Sequence, residues 1–370
     1  MWALRPSALA VWRNKEVRKR LDWYYRVMVD AMPAKFLICR KLPAEYVPWS
    51  DEEELWSEHE RLVPEFTKLH TSILKGDTKL EELQTPEKNF MSLKAEILKR
   101  ILRSCHLCER RCGANRTGGG RGYCRLDHHA RVSTWFHHFG EEPPLVGNGG
   151  SGTIFFTSCT FSCVSCQNHD ISTNPENGVV VDSRRLASIM KSLRIQGASN
   201  INVVGGEPTM HAATIIEALN YLDINVPFLW NSNMYCSLEL MKILSEIVDI
   251  WLPDFKYGND DYAQRISNVK NYFSIVSRNH EIASRNGDMI IRHLVLPGHI
   301  ECCTKPVLDW IAGKIGGRVL VNIMEQYRPE HLVALHPEKY PDIARRLTRE
   351  EIERAYGYAR ELNLVFEPVS

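Results

Sequence analysis

Three cysteines stand close together in the stretch Cys159-Thr-Phe-Ser-Cys163-Val-Ser-Cys166, directly after the apolar run Thr153-Ile-Phe-Phe-Thr-Ser158. At that spacing their sulfurs meet only if the backbone wraps around one point. Thiolates are soft ligands, suited to iron–sulfur clusters, zinc or copper(I). A structural zinc site closes with four ligands, and a set of three leaves a position open for reaction. A second set, Cys105, Cys108, Cys112 and Cys124, is complete with four, and the glycines of Thr117-Gly-Gly-Gly-Arg-Gly122 let the chain turn tightly inside it. These seven of the eleven cysteines lie between Cys105 and Cys166, with only Cys39, Cys236, Cys302 and Cys303 elsewhere, so metal binding explains them better than disulfides.

Further polar sets recur at the ends of apolar runs. They are Gly205-Gly206-Glu207-Pro208, Asn231-Ser232-Asn233, Asp254 with Lys256, Arg292-His293, Pro297-Gly298-His299 and Glu325-Gln326. Gly205 and Gly206 permit a ligand to approach the backbone, since glycine carries no Cβ. Arg292 offers the planar donor fork that suits a carboxylate. Asp254 and Lys256 flank Phe255 on a strand and so share a face, as reactive groups or as a structural ion pair. Asn231 and Asn233 could hydrogen-bond a ribose or simply end a strand. His169, His293 and His299 are proton carriers or packed side chains, the second being the more ordinary role. His128, His129, His137 and His138 could add metal ligands or lie on a polar surface.

The C-x3-C-x2-C loop after a strand resembles that of the radical S-adenosylmethionine (SAM) superfamily. The run from Gly150 to Ser172, with Cys166-Gln167-Asn168 closing the loop, is similar to the pyruvate formate-lyase-activating-enzyme-like branch. The resemblance implies a [4Fe-4S] cluster on Cys159, Cys163 and Cys166, with SAM on the fourth iron. Reductive cleavage of SAM would give methionine and a 5′-deoxyadenosyl radical that abstracts a substrate hydrogen. It further implies that Gly205, Gly206, Glu207 and Pro208 meet the SAM amino group, that Arg292 clamps its carboxylate, and that Asp254 and Lys256 lie near SAM. No catalytic residue beyond the cluster is implied. One position departs from the pattern: Ser165 stands where many members carry an aromatic residue against adenine, which leaves Phe161 as a candidate for that packing. The four-cysteine block also precedes the radical loop in relatives. It could hold structural zinc, a second [4Fe-4S] cluster, or a zinc ribbon touching nucleic acid through Arg110, Arg111, Arg116, Arg121 and Arg125. The expected partners are an external electron donor, flavodoxin- or ferredoxin-like, and a protein or small-molecule substrate, glycyl-radical activation being one case. A non-catalytic iron–sulfur or zinc protein is the competing class.

The elements that must position these groups follow from periodicity. Thr153–Thr157, Ile201–Val204, Phe228–Trp230, Val248–Leu252, Met289–Val295, Val319–Ile323 and Leu364–Phe366 read as strands. Helical patterns run near Arg184–Arg194, Ala212–Leu222, Leu238–Ile247, Asp261–Asn286, Lys305–Ile315 and Arg349–Leu362. Alternation of this kind predicts an α/β fold, an incomplete (β/α)6 barrel, which is also what the resemblance implies; an open doubly wound sheet is the alternative. In a parallel barrel the polar sets would gather on the rim at the strands' C-terminal ends.

Residues 1–100 read as a helical extension, 101–149 as a Cys-rich metal-binding segment and 150–370 as the partial barrel. In the extension, Trp12 to Met32 reads as a helix stopped by Pro33. Ser50-Asp-Glu-Glu is an N-cap signal, and Pro64 should kink or restart the helix that follows. The first forty residues are basic and the next fifty acidic, so the two parts are expected to pack on each other and to shape access to the rim. A net charge of +1 gives no global pull on nucleic acid, no apolar run is long enough for a membrane span, and the N-terminus is a poor signal peptide. An oxygen-sensitive cluster suits a cytoplasmic setting.

Overall fold

The computed structural model describes residues 6–370, so whatever the sequence suggests for residues 1–5, the first part of the signal-peptide reading included, lies outside it. Eight strands form one sheet in the order β3-β1-β2-β4-β5-β6-β7-β8. They are β1 (Ala130–His138), β2 (Ser151–Phe156), β3 (Val179–Val181), β4 (Ile201–Gly205), β5 (Phe228–Ser232), β6 (Ile250–Pro253), β7 (Asp288–Leu294) and β8 (Leu320–Met324). From β2 to β8 every neighbour is parallel, which makes the six-stranded partial barrel. β1 and β3 extend it antiparallel, and the sheet is not closed among the described strands.

Alternation along each strand sorts side chains into two cores. Leu229, Ile250, Leu252, Ile290 and Leu320 point into the barrel. Phe228, Trp230, Trp251, Ile291, Val321 and Ile323 point outward to the helices Ser183–Ile195, Ala212–Tyr221, Leu238–Ser245, Tyr272–Asn286, Lys305–Lys314 and Arg349–Glu361. Both faces of the parallel strands are thus covered, which is why they read as nearly continuous apolar runs.

Several sequence expectations need correction. Leu364–Phe366 is not a strand: a single bond from Val321 N to Val365 O (3.1 Å) joins it to β8, and the chain then turns inward. The pattern Asp261–Asn286 is two helices, Asp260–Ser267 and Tyr272–Asn286, because Asn268 and Asn271 adopt left-handed backbone (φ 53° and 51°). Trp12–Met32 is likewise broken, into Lys15–Arg20 and Asp22–Met28 after one tight turn. The helix Glu52–Lys75, in contrast, runs unbroken through Pro64. Its cap is Asp51 in a reciprocal bond pair with Glu54, and Gly76 ends it at φ 79°.

Residues 6–100 do not line the rim cavity. Val11, Trp12, Val17, Leu21 and Tyr24 enter the inner core at the strands' N-terminal ends, opposite the rim. There Tyr24 N bonds Asp288 Oδ2 (2.7 Å) and Trp23 Nε1 bonds Asp249 Oδ1 (2.7 Å), at the starts of β7 and β6. Nor, among the described residues, does an ion pair join the basic and acidic parts. Their ions pair elsewhere: Asp30 with Arg194 and Glu60 with Lys242, while just beyond them buried Lys94 pairs with Glu246 (2.7 Å). What brings the two parts together includes aromatic contact, Trp23 against His70 at 4.5 Å.

Candidate active site at the barrel rim

The strand ends converge on one cavity of about 630 Å3. Cys159, Cys163 and Cys166 line it from the loop after β2, Gly205, Gly206 and Glu207 from β4, and Asn231 and Asn233 from β5. Asp254 and Lys256 reach it from β6 and Arg292 from β7. Pro208 is buried behind the wall and starts the short turn Pro208–His211. The groups expected to meet SAM therefore share one space, Pro208 excepted, whereas His293, Pro297, Gly298, His299 and Glu325, also expected on the rim, do not line it.

Each sulfur of the triad has a polar neighbour. The Phe161 N–H points to Cys159 Sγ (3.3 Å), the Ser267 hydroxyl to Cys163 Sγ (3.0 Å), and Ser172 Oγ lies 3.3 Å from Cys166 Sγ. Donors to thiolate sulfur tune a bound cluster's potential. Burial pushes the Cys163 thiol up to about 11, with Cys166 adding to it, and raises Cys159 further. Loading a thiophilic metal must then displace protons. The triad fits a cluster: three free thiols, gathered in one cavity and furnished with donors.

Gly205 and Gly206 serve a closer neighbour than a ligand. A Cβ on Gly205, at φ 123°, would lie 2.1 Å from Phe156 O, and one on Gly206 would lie 1.8 Å from Ser158 O. Only glycine lets the end of β4 press against the start of the cysteine loop. Glu207 is buried between β4 and β5, where Oε1 accepts from Thr209 Oγ1 (2.6 Å) and Ser232 Oγ (2.7 Å) and Oε2 from Asn233 N (2.8 Å). Burial still raises its pKa against these bonds.

The charged pairs are half-buried in the cavity wall, not superficial. Arg292 Nε donates to Asp254 Oδ1 (2.9 Å) and Lys256 Nζ to Asp254 Oδ2 (2.8 Å). Burial pushes the Asp254 carboxyl up, but Arg292 and Lys256 outweigh it and hold it below the ordinary range. The two asparagines differ. Asn233 is used within the protein, donating to Thr160 Oγ1 (2.9 Å) and accepting from Tyr235 N (3.0 Å). Asn231 accepts from Arg292 (2.5 Å), and its Nδ2 is buried with no partner, an orphan donor suited to a ligand oxygen.

Phe161 lines the cavity beside Ser165, with its ring packed edge-on against Tyr235 and Tyr272. His293 points away from the cavity, held by Phe255 O (2.7 Å) and Thr304 Oγ1 (3.0 Å). His169 stacks on His331 at 4.8 Å. Of Glu325 and Gln326, Gln326 is at the wall.

His138, at the end of β1 and read from the sequence as a metal ligand or polar surface, lines the cavity; several other lining residues escaped the sequence reading: Glu141 and Glu142 after β1, Asn322 and Met324 on β8, and the C-terminal Val369 and Ser370. The only available signal was a charged pair, Glu141-Glu142, just before Pro143-Pro144. Glu142 Oε1 accepts from Asn322 (2.7 Å), while its Oε2 is buried without a partner. His138 Nδ1 lies 3.1 Å from Glu141 Oε1.

The four-cysteine segment sits against the triad loop. The carbonyl of Cys124 accepts from the Ser158 hydroxyl, and Arg110 Nε donates to Thr160 O (3.0 Å). The Cys108 thiol is pushed up to about 12, by burial first and then by the nearby thiols of Cys105, Cys124 and Cys112. A Cβ on Gly122 would lie 2.4 Å from Cys112 Sγ, which explains a glycine there. The arginines considered for nucleic acid are engaged at home. Arg116 is buried on Asp127 O and Met210 O, Arg111 pairs with Glu109 and Glu239, and Arg121 pairs with Glu176.

A family model described as the radical SAM superfamily matches residues 153–311, the span from β2 past β7. The chain is 41% identical over 355 residues to Uncharacterized protein MJ0674 of Methanocaldococcus jannaschii, covering 93% of this chain and 98% of that one. Among solved structures, Streptococcus suis SuiB bound to S-adenosylmethionine is similar at 11% identity and a TM-score of 0.42, covering 55% of this chain and 45% of SuiB. The cobalamin-dependent S-adenosylmethionine radical enzyme OxsB is similar at 13% identity and a TM-score of 0.35, covering 56% of this chain and 31% of OxsB. The chain thus spans under half the length of these structural neighbours.

Proposed function

The chain belongs to the radical SAM superfamily, and from that premise we propose that it cleaves SAM reductively at a [4Fe-4S] cluster on Cys159, Cys163 and Cys166 to start hydrogen abstraction from a substrate. The observation that carries this reading is the single cavity shared by the three thiols and the groups from β4 to β7. The cluster and SAM together supply the electron and the radical precursor; the protein supplies position and exclusion of water. Asn231 Nδ2 and the N–H groups of Arg292 not used on Asp254 and Asn231 would receive carboxylate or hydroxyl oxygens of SAM. Glu207 Oε2, with one bond made, keeps capacity to accept from its amino group. Asp254 fixes Arg292 and Lys256 so that neither needs to reorganise when ligand enters.

The finer features are proposals too. The substrate is a protein or small molecule, glycyl-radical activation being the activating-enzyme-like case. Electrons come from a flavodoxin- or ferredoxin-like donor in the cytoplasm. Cys105, Cys108, Cys112 and Cys124 hold either a second [4Fe-4S] cluster or zinc, and the contacts Ser158–Cys124 and Arg110–Thr160 support a role in bracing the triad loop. Residues 1–100, 101–149 and 150–370 act as extension, metal segment and barrel.

The test is anaerobic: reconstitute the cluster, reduce it, add SAM and assay 5′-deoxyadenosine. Cys163→Ala should abolish the product and lower iron by about four per chain. A variant that cleaves SAM as well as the parent would refute the ligand assignment.

A further inference from the structure

Beyond the rim cavity, Pro297-Gly298-His299 and the adjacent pair Cys302-Cys303 meet at a place that SAM chemistry does not use. One ligand atom each from His299, Cys302 and Cys303 lies within 4.8 Å of the other two. His299 Nδ1 is 3.3 Å from Cys302 Sγ. Tetrahedral zinc, with bonds of about 2.0 Å to nitrogen and 2.3 Å to sulfur, sets such a pair about 3.5 Å apart. The other ring nitrogen, Nε2, is 2.8 Å from Asp342 Oδ2, and Asp342 is itself held by Arg265. A carboxylate on Nε2 leaves the Nδ1 lone pair facing the thiols, the arrangement found behind metal-bound histidine.

The backbone also favours convergence. The amides of Cys303 and Thr304 both bond His299 O (3.0 and 3.2 Å), a widened helical turn of the kind that concentrates at functional sites. His299 and Cys303 are 2% and 1% exposed, and the Tyr262 ring covers the imidazole edge-on at 4.4 Å. A dication balanced by two thiolates adds no net charge to this sheltered place, beside an Arg265–Asp342 pair that is already neutral.

We propose that His299, Cys302 and Cys303 bind one thiophilic divalent ion, zinc, through imidazole Nδ1 and two thiolates. The two thiol protons leave to solvent as the zinc–sulfur bonds form. The ion, with three protein ligands and its fourth position left to water on the side of half-exposed Cys302, ties the rim between β6 and β7. Asn259 Nδ2 bonds Cys302 O (3.1 Å), and a Cβ on Gly258 would lie 2.6 Å from the same oxygen, so the site touches the loop that carries Lys256 and Tyr257. This stands apart from the SAM reading and does not depend on it.

Full-length protein with its iron reconstituted anaerobically would be loaded with zinc and then passed over a competing chromophoric chelator. Zinc and iron are counted per chain for the parent, Cys303→Ser and His299→Gln. The expected result is one zinc fewer in each variant with iron unchanged; any zinc at the four-cysteine site cancels in the difference. Equal zinc in all three overturns the proposal. Should Cys303→Ser fail to fold, Asp342→Asn serves in its place and should weaken zinc retention roughly tenfold or more. Unchanged retention there and in His299→Gln overturns it as well. Cobalt(II) gives a second readout: thiolate-to-cobalt absorption should weaken in Cys302→Ser, and an identical spectrum counts against the site.

Discussion

Glu142 shows what one buried group can do in this cavity. Burial first, and then the neighbouring Glu141 carboxylate, push its acid up from 4.5 to about 7. Between those values the folded chain holds a proton that the unfolded chain has released, so stability falls as pH rises through that window. Glu142→Gln keeps an oxygen for Asn322 and removes the ionisation. The parent should therefore lose stability relative to the variant between about pH 5 and pH 8, by no more than about 3 kcal/mol. Urea midpoints at the two pH values check this, and parallel curves would show that Glu142 is ionised throughout. The same residue could not have been picked out from its neighbours in the chain. What singles it out is burial with one oxygen held by Asn322, 180 residues further on, and the other left without a partner.

At the scale of elements, the break between the helices Asp260–Ser267 and Tyr272–Asn286 is tied to the triad loop. Ser267 O accepts from Ser162 N (3.0 Å), and Asn268 O accepts from Arg110 (2.5 Å). A continuous helix would commit those carbonyls to its own ladder. Asparagine tolerates the left-handed backbone that frees them, and a β-branched residue does not. Asn268→Val should therefore be less stable than Asn268→Gly by about 1–2 kcal/mol in denaturant unfolding. Equal stabilities would mean that the break carries no conformational strain. Six of the strands were legible because both their faces are buried and their apolar runs are short and bounded. β1 and β3 were not, since they extend the sheet antiparallel at its edge and keep exposed residues such as Trp135, Phe136, Val179 and Val180.

At the scale of the whole molecule, the N-terminal extension is part of the barrel's construction. It fills the end of the barrel away from the chemistry, and a buried charge locks it to the outer layer. Lys94 Nζ bonds Glu246 Oε2 (2.7 Å), His59 Nε2 (2.8 Å) and Ile243 O (3.0 Å), which ties the helices Glu52–Lys75 and Phe90–Ile101 to Leu238–Ser245. Lys94→Ala strands Glu246 and should cost roughly 3–5 kcal/mol in unfolding free energy. The fraction that stays folded should still make 5′-deoxyadenosine at the parent's rate per iron, because the lysine lies away from the rim. A selective loss of that product without loss of stability would instead place the extension in the chemistry.

The amino-acid sequence by itself determined which thiols gather and the architecture around them: three cysteines at loop spacing, six short apolar runs alternating with helices, and polar groups at the runs' ends. Those are local properties, set by residue type and by periods of two and 3.6. Only the tertiary structure decided which of the marked groups are already used. Asn233 is spent on Thr160 and Tyr235 while Asn231 keeps a free donor, and Gly206 makes room for Ser158. It also turned the N-terminal extension to the far end of the barrel, and it brought His299 to Cys302 and Cys303 under Asp342. Each of these depends on which partners the fold supplies from distant parts of the chain, and residue spacing carries no record of them.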